Sequence, residues 1–134
     1  MDCVFCKIIA GGIPSRKIYE DEHAYAFLDI ADDVDGHTLV IPKKHVVSIH
    51  DCDEETLAHL INTVQKVSKH YIDNCGYHGV NLLNASGEAA QQTIFHFHFH
   101  VIPRKSDDGV NAFPRFTGLT KSQDEMLRLL KMEE

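Results

Sequence analysis

Residues 94–103 alternate strictly, Ile-Phe-His-Phe-His-Phe-His-Val-Ile-Pro. A period of two, with aromatic and β-branched partners, predicts a β-strand over the whole stretch. Successive strand side chains point to opposite faces, so His96, His98 and His100 share one face and Phe95, Phe97, Phe99 and Val101 the other. Alternate positions lie about 6.5–7 Å apart, which spreads the three imidazoles over about 13 Å. All three therefore cannot ligate one metal, although two neighbours could. One histidine on a strand is ordinarily a polar-face residue; three in register mark an active-site strand.

The rest of the pattern divides cleanly. Residues 3–10 suit a short helix with Asp2 as N-cap and Gly11-Gly12 as its end. Residues 17–20 and 23–29 read as short strands around the turn Asp21-Glu22. An acidic loop, in which Asp32, Asp33 and Asp35 are expected to be solvated, leads to a strand over 37–42. On that strand His37, Leu39 and Ile41 share a face, which lets His37 point toward the histidine strand if the two pair. From Asp53, a credible N-cap, apolar residues recur at three- and four-residue steps to about Asn74, predicting an amphipathic helix. Its apolar face is expected to cover the Phe face of the sheet. Residues 80–84 form a further strand. Gly87 then permits a tight turn that brings backbone N–H groups near a phosphate. Thr120 with Gln123 suggests a capping box for a last helix carrying Met126, Leu127, Leu129 and Leu130, expected to dock on the domain or on a partner subunit. The expected class is α+β: an antiparallel sheet of about five strands, one long helix, and short N- and C-terminal helices.

Size and charge narrow the partners. A chain of 134 residues with 43% hydrophobic positions suits one domain with a modest core. The net charge of −7 argues against a nucleic-acid polymer or an anionic membrane as partner, so any phosphate must be met by local donors. No apolar run reaches the length of a membrane span, and the acidic Met-Asp start lacks a basic leader, so a cytoplasmic location is expected. In a reducing compartment the four cysteines do not suggest a disulfide framework. Cys3 and Cys6 share a helix face; the spacing alone fits a redox pair, half a zinc site or two core thiols. The redox reading expects a preceding strand, and none is predicted.

Taken together, several motifs resemble the histidine-triad (HIT) family. They are His96-Phe-His98-Phe-His100-Val-Ile, Cys3-Val-Phe-Cys6-Lys-Ile-Ile, Tyr19-Glu-Asp, Ala26-Phe-Leu-Asp29, Gly36-His37-Thr-Leu-Val-Ile-Pro-Lys-Lys-His45, and Gly87-Glu-Ala-Ala-Gln-Gln92-Thr93. They span residues 3–104 in order. The resemblance implies a HIT domain over residues 1–105, with 106–134 as an extension belonging to the same domain or to a dimer interface. It is closest in kind to the zinc-bearing bacterial-type branch, where positions equivalent to Cys3, Cys6, His45 and His96 hold a structural Zn2+. It further implies that His98 attacks the α-phosphate of a nucleotide, that His100 assists, that His37 orients the nucleophile, and that Thr93 donates to phosphate or leaving group. Asp29 would bind the ribose, Phe5, Ile8, Phe27 and Ile30 would wall the base, and Asn84 and Gln92 would stand near the phosphate.

Two departures bear on the phosphate side: Gln91 stands where the family usually has glycine, and Ala85 replaces a residue that is often polar. The activity implied is hydrolysis of a purine nucleoside phosphoramidate, with AMP or an adenosine or guanosine phosphoramidate as ligand, in a homodimer. Dinucleoside polyphosphate hydrolysis, nucleotidyl transfer, and a slow nucleotide-binding interaction module are the alternatives. His100 disfavours transfer, because the transferase branch typically has glutamine there. The dinucleotide hydrolases generally lack the C-x-x-C and the His45 position.

Overall fold

The computed structural model describes residues 2–133. Its elements are α1 (Val4–Ile9), β1 (Lys17–Glu20), β2 (Ala24–Leu28), β3 (Thr38–Pro42), α2 (Glu54–Asn74), β4 (Gly79–Leu83), β5 (Phe99–Arg104) and α3 (Gln123–Leu130), with a 3-10 turn at Glu88–Ala90. The five strands form one antiparallel sheet in the order β1-β2-β3-β5-β4. This is the expected α+β architecture.

Alternation along the strands sends side chains into two separate cores. On one face, Ala26, Val40, Phe97 and Val101 pack against Leu60, Val64, Val67 and Tyr71 of α2. Asp53 caps α2 by accepting from the Thr56 N–H at 3.1 Å, and Glu54 and Glu55 favour its positive end. On the opposite face α1 lays Phe5 and Ile8 over Tyr25, Phe27, Leu39 and Ile41. Burying a side chain such as Phe97 stabilises by about 1.5–3 kcal/mol, so each face anchors its own layer. A buried chain of hydroxyls ties α2 to the sheet. Thr38 Oγ1 donates to the Gly36 carbonyl at 2.7 Å, so the Tyr71 hydroxyl, 2.6 Å away, donates to Thr38.

Several sequence expectations are corrected. The strand carrying the histidines begins at Phe99, not at residue 94. Its ladder with β3 ends at the Val40–Phe99 pair. Beyond it, the Pro42 carbonyl is taken by the His96 ring at 2.8 Å, and the Phe97 N–H turns to the Val46 carbonyl at 2.7 Å. Residues 94–98 therefore keep the alternation of faces at 96–98 without a regular ladder, while Phe95 is left 49% exposed and outside both cores. The N-cap of α1 is Cys3, whose Sγ accepts from the Cys6 N–H at 3.4 Å, and not Asp2. Helix α3 is capped by Ser122 with Glu125, two residues beyond the expected box. Leu127, Leu129 and Leu130 are exposed and only Met126 is half-buried, so α3 leaves most of its apolar residues off this domain.

Gly36 sets up the approach to His37. Its φ of +76° is left-handed, and a Cβ there would lie 2.7 Å from Pro103 Cγ on β5. Gly11 has a similar φ of +82° with nothing within 4 Å of the added carbon. Gly36→Ala should therefore cost about 2 kcal/mol or more, and Gly11→Ala about 1 kcal/mol. Urea unfolding at constant m reads both, and equal losses at the two positions would show that the Pro103 contact yields without cost.

Candidate functional site

The first cluster is built where α1 meets the residues following β3. One turn of α1 places Cys3 and Cys6 on one side, and the loop beyond Pro42 brings His45 against them. His96, fully buried, completes the set. Cys3 Sγ lies 3.3 Å and Cys6 Sγ 3.6 Å from His96 Nδ1; Cys6 Sγ lies 3.3 Å and His96 Nδ1 3.2 Å from His45 Nδ1. A tetrahedral Zn2+ with its usual bond lengths needs ligand–ligand edges of about 3.3–3.8 Å, so these residues fit the ion. Protonation fits as well. The Pro42 carbonyl can only accept, so the His96 proton sits on Nε2 and the Nδ1 lone pair faces the cluster. Burial holds the His96 ring below the ordinary imidazole range and so keeps it neutral, the state a metal requires.

The second cluster opens into a cavity of about 350 Å3. Phe5, Ile8, Phe27 and Ile30 give it an apolar wall, with Ile30 almost wholly exposed. Asp29, Gln92, Thr93, His98 and His100 line the same cavity, whereas Asn84 is not part of its lining. The strand register explains the grouping, because Phe27, Leu39 and His100 stand in one row across β2, β3 and β5. Asp29 and His37 extend that row, with the Asp29 N–H donating to the His37 carbonyl at 2.8 Å.

His98 is held by one bond that decides its chemistry. Its Nδ1 donates to the His96 carbonyl at 2.7 Å, which leaves the lone pair on Nε2. Burial pushes its pKa down, so the ring is neutral and nucleophilic at neutral pH. Asn84 Nδ2 donates to the His98 carbonyl at 2.9 Å, and its Oδ1 accepts from Ser86; the side chain clamps the backbone of His98. His100 Nδ1 lies 2.8 Å from His37 Nε2, and His37 Nδ1 lies 3.0 and 3.1 Å from the two Asp33 oxygens. Burial, followed by the neighbouring His98 and His37 rings, pushes His100 down to about 4. Asp29 Oδ2 stands 3.5 Å from His37 Nε2.

Gln92 is a strut. Its Nε2 donates to the Val47 and Ile94 carbonyls at 2.6 and 3.1 Å, and its Oε1 accepts from the Gly87 N–H at 2.8 Å. Both amide hydrogens are thereby used, so Gln92 shapes the loop and has none left for a phosphate. Gln91 takes φ +71°, the one non-glycine residue with positive φ among the described residues. A left-handed backbone at that position is what glycine tolerates best, which gives the departure at Gln91 a physical cost. Asp33 is the residue the sequence reading missed. It is solvated, as expected, with its side chain 54% exposed, yet its carboxylate also accepts from His37, and the spacing of four residues before His37 is the signal for that contact.

Comparison with known proteins agrees with this geometry. The family model described as HIT domain matches residues 10–107. Protein hit of Bacillus subtilis is 48% identical over 112 residues, covering 83% of this chain and 77% of that protein. Adenosine 5'-monophosphoramidase hnt1 of Schizosaccharomyces pombe is 41% identical over 108 residues, covering 81% of this chain and 78% of the other. The crystal structure of a Zn-bound histidine triad family protein from Mycobacterium smegmatis superposes with a TM-score of 0.78 at 40% identity, over 88% of this chain and 85% of that one. With its three alternating histidines on one face and a HIT match across most of its length, this chain belongs to the HIT family.

Proposed function

We propose that the protein hydrolyses purine nucleoside 5'-phosphoramidates or related nucleotide conjugates at the α-phosphate, through a nucleotidyl-His98 intermediate. The observation that carries this reading is the His98–His96 carbonyl bond, which leaves the Nε2 lone pair on a neutral imidazole in a cavity with an apolar wall. The phosphoramidase activity named for the fission-yeast relative supports the substrate class.

In the first step His98 Nε2 forms a bond to phosphorus as the bond to the leaving nitrogen or oxygen breaks. His98 Nδ1–H keeps donating to the His96 carbonyl throughout, so the ring is not lost to a competing tautomer. His100 hydrogen-bonds the phosphoryl oxygens and hands a proton to the departing group. Water then attacks the same phosphorus and gives a proton to His100 Nε2, the His98–phosphorus bond breaks, and the nucleoside monophosphate leaves with the pair of His100 and His37 protonated as at the start. Asp29 binds the ribose hydroxyls, Phe5, Ile8, Phe27 and Ile30 wall the base, and Thr93 donates at the phosphate. Asn84 and Gln92 serve by holding the backbone of the site.

Cys3, Cys6, His45 and His96 bind Zn2+ in this reading. Bound there, the ion serves a structural role, because four protein ligands leave no open position for water. The cysteines and histidines join α1, which supplies the base wall, to the segment that supplies the nucleophile. A cytoplasmic setting suits such a thiol pair, since a reducing compartment keeps it available. Residues 106–134 act as an extension that contributes to a homodimer, supported by exposed Leu127, Leu129 and Leu130 and by the edge strand β4 with exposed Leu82 and Leu83.

Three measurements test this. Protein purified without a chelating tag should contain about one zinc per chain. Cys3→Ser should lower both zinc content and melting temperature, whereas Cys75→Ser, at an exposed thiol, should change neither. A fully folded protein without zinc contradicts the assignment. His98→Asn should abolish turnover of adenosine phosphoramidate while preserving AMP binding, and acid quench should trap labelled adenylate on the wild type only. If His98→Asn turns over normally and His100→Asn is inactive and unlabelled, His100 is the attacking residue. Light scattering at micromolar concentration should give twice the chain mass, and a single 15.1 kDa species would rule out the homodimer.

A further inference from the structure

We propose that Asp33 is a positioning residue for the reaction. By accepting from His37 Nδ1 it dictates which nitrogen of His37 faces His100, and so which nitrogen of His100 remains for the substrate. The inference rests on the function proposed above and adds to it a residue outside the histidine motif.

The geometry leaves little freedom. A carboxylate has no proton to give, so the contacts of 3.0 and 3.1 Å require the His37 proton on Nδ1. The hydrogen bond from His37 is also the leading reason that the Asp33 carboxyl is held below its usual range, so it is ionised at neutral pH. With Nδ1 occupied, His37 Nε2 meets His100 Nδ1 at 2.8 Å, and one proton is shared across that contact. When the pair is neutral that proton belongs to His100 Nδ1, and the lone pair of His100 lies on Nε2. When the pair carries one more proton, it sits on His100 Nε2 as the Nδ1 proton passes to His37 Nε2. The extra charge then rests on His37, between Asp33 and Asp29.

This supplies the proton needed in the first step. His100 Nε2–H gives its proton to the departing nitrogen or oxygen, the proton on His37 Nε2 returns to His100 Nδ1, and His37 keeps its Nδ1 proton, donated to Asp33. One N–H bond forms on His100 as another breaks, so the pair returns to neutrality with its tautomers unchanged. The groups around His37 are Asp29 from the end of β2, Asp33 from the loop, and His100 from β5. Arg16, Asp32 and Asp35 line, with Asp29, Asp33 and His37, an open polar hollow separate from the cavity beside His98.

An asparagine at position 33 would accept from Nδ1–H with its oxygen or donate to a bare Nδ1 with its nitrogen. Either His37 tautomer would then be satisfied, and the direction of the relay would be lost. Asp33 lies in an exposed part of the loop, so the substitution leaves the core untouched.

The test compares wild type, Asp33→Asn and Asp33→Glu by imidazole 15N shifts at neutral pH and by kcat and KM for adenosine phosphoramidate. The wild type should show His37 protonated on Nδ1. Asp33→Asn should show mixed His37 tautomers and a kcat lowered about 10- to 100-fold, with KM and melting temperature nearly unchanged. Asp33→Glu should restore much of kcat. Wild-type kcat in Asp33→Asn, or an unaltered His37 tautomer, overturns the proposal. If the wild type turns over no phosphoramidate, the function proposed above fails, and the 15N shifts alone decide whether Asp33 sets the protons of His37 and His100.

Discussion

The His96 ring and its own carbonyl are the constraint on which the rest depends. Nε2 donates to the Pro42 carbonyl, Nδ1 faces Cys3, Cys6 and His45, and the backbone oxygen holds His98 Nδ1. A fully buried imidazole must have partners for its polar atoms, and here each partner has a consequence. The Pro42 bond lies where the β3–β5 ladder ends, the Nδ1 contacts gather the thiols, and the carbonyl fixes the tautomer of His98. The Cys/His cluster and the cavity beside His98 are thus coupled through a single residue.

The two faces of the sheet divide the work. The α2 face is a conventional core in which Phe97, Val101 and the helix residues are buried from water. The opposite face carries a thinner layer, where α1 covers β2 and β3 but leaves a cavity beside His98 and His100. Phe5 is a hinge between these tasks. It packs edge-on to Phe27 at 5.6 Å and to His98 at 5.2 Å, so one aromatic ring both fills the core and borders the cavity's central imidazole. Burial, to which that packing contributes, keeps the His98 ring neutral, while His100 is pushed down by burial and then by the neighbouring His98 and His37 rings.

Loops supply what the regular elements do not. Gln92 binds three backbone groups from the Val47, Gly87 and Ile94 segments and so pins the loop that carries Thr93 into the cavity. Gln91 beside it holds a left-handed backbone, a cost of about 1–2 kcal/mol for a residue with a Cβ, next to the cavity it lines. Asp33 reaches His37 from an acidic loop in which Asp32 and Asp35 face an open, polar hollow. In that loop one carboxylate out of several is tied to the histidines.

Local periodicity by itself determined that His96, His98 and His100 share a face, that a helix follows Asp53 to about Asn74, and that about five strands accompany it. It did so because side-chain direction in strands and helices follows from backbone geometry alone. The motifs likewise carried the family and the gathering of Cys3, Cys6, His45 and His96 into one set. Only the tertiary structure decided where the histidine strand begins pairing, because that depends on where β3 ends and what takes the Pro42 carbonyl. It also decided the tautomer of His98, the engagement of Asp33 with His37, and the exposure of α3. A hydrogen bond between groups distant in sequence leaves no periodic trace, and a ring nitrogen carries its proton according to a partner that folding brings to it.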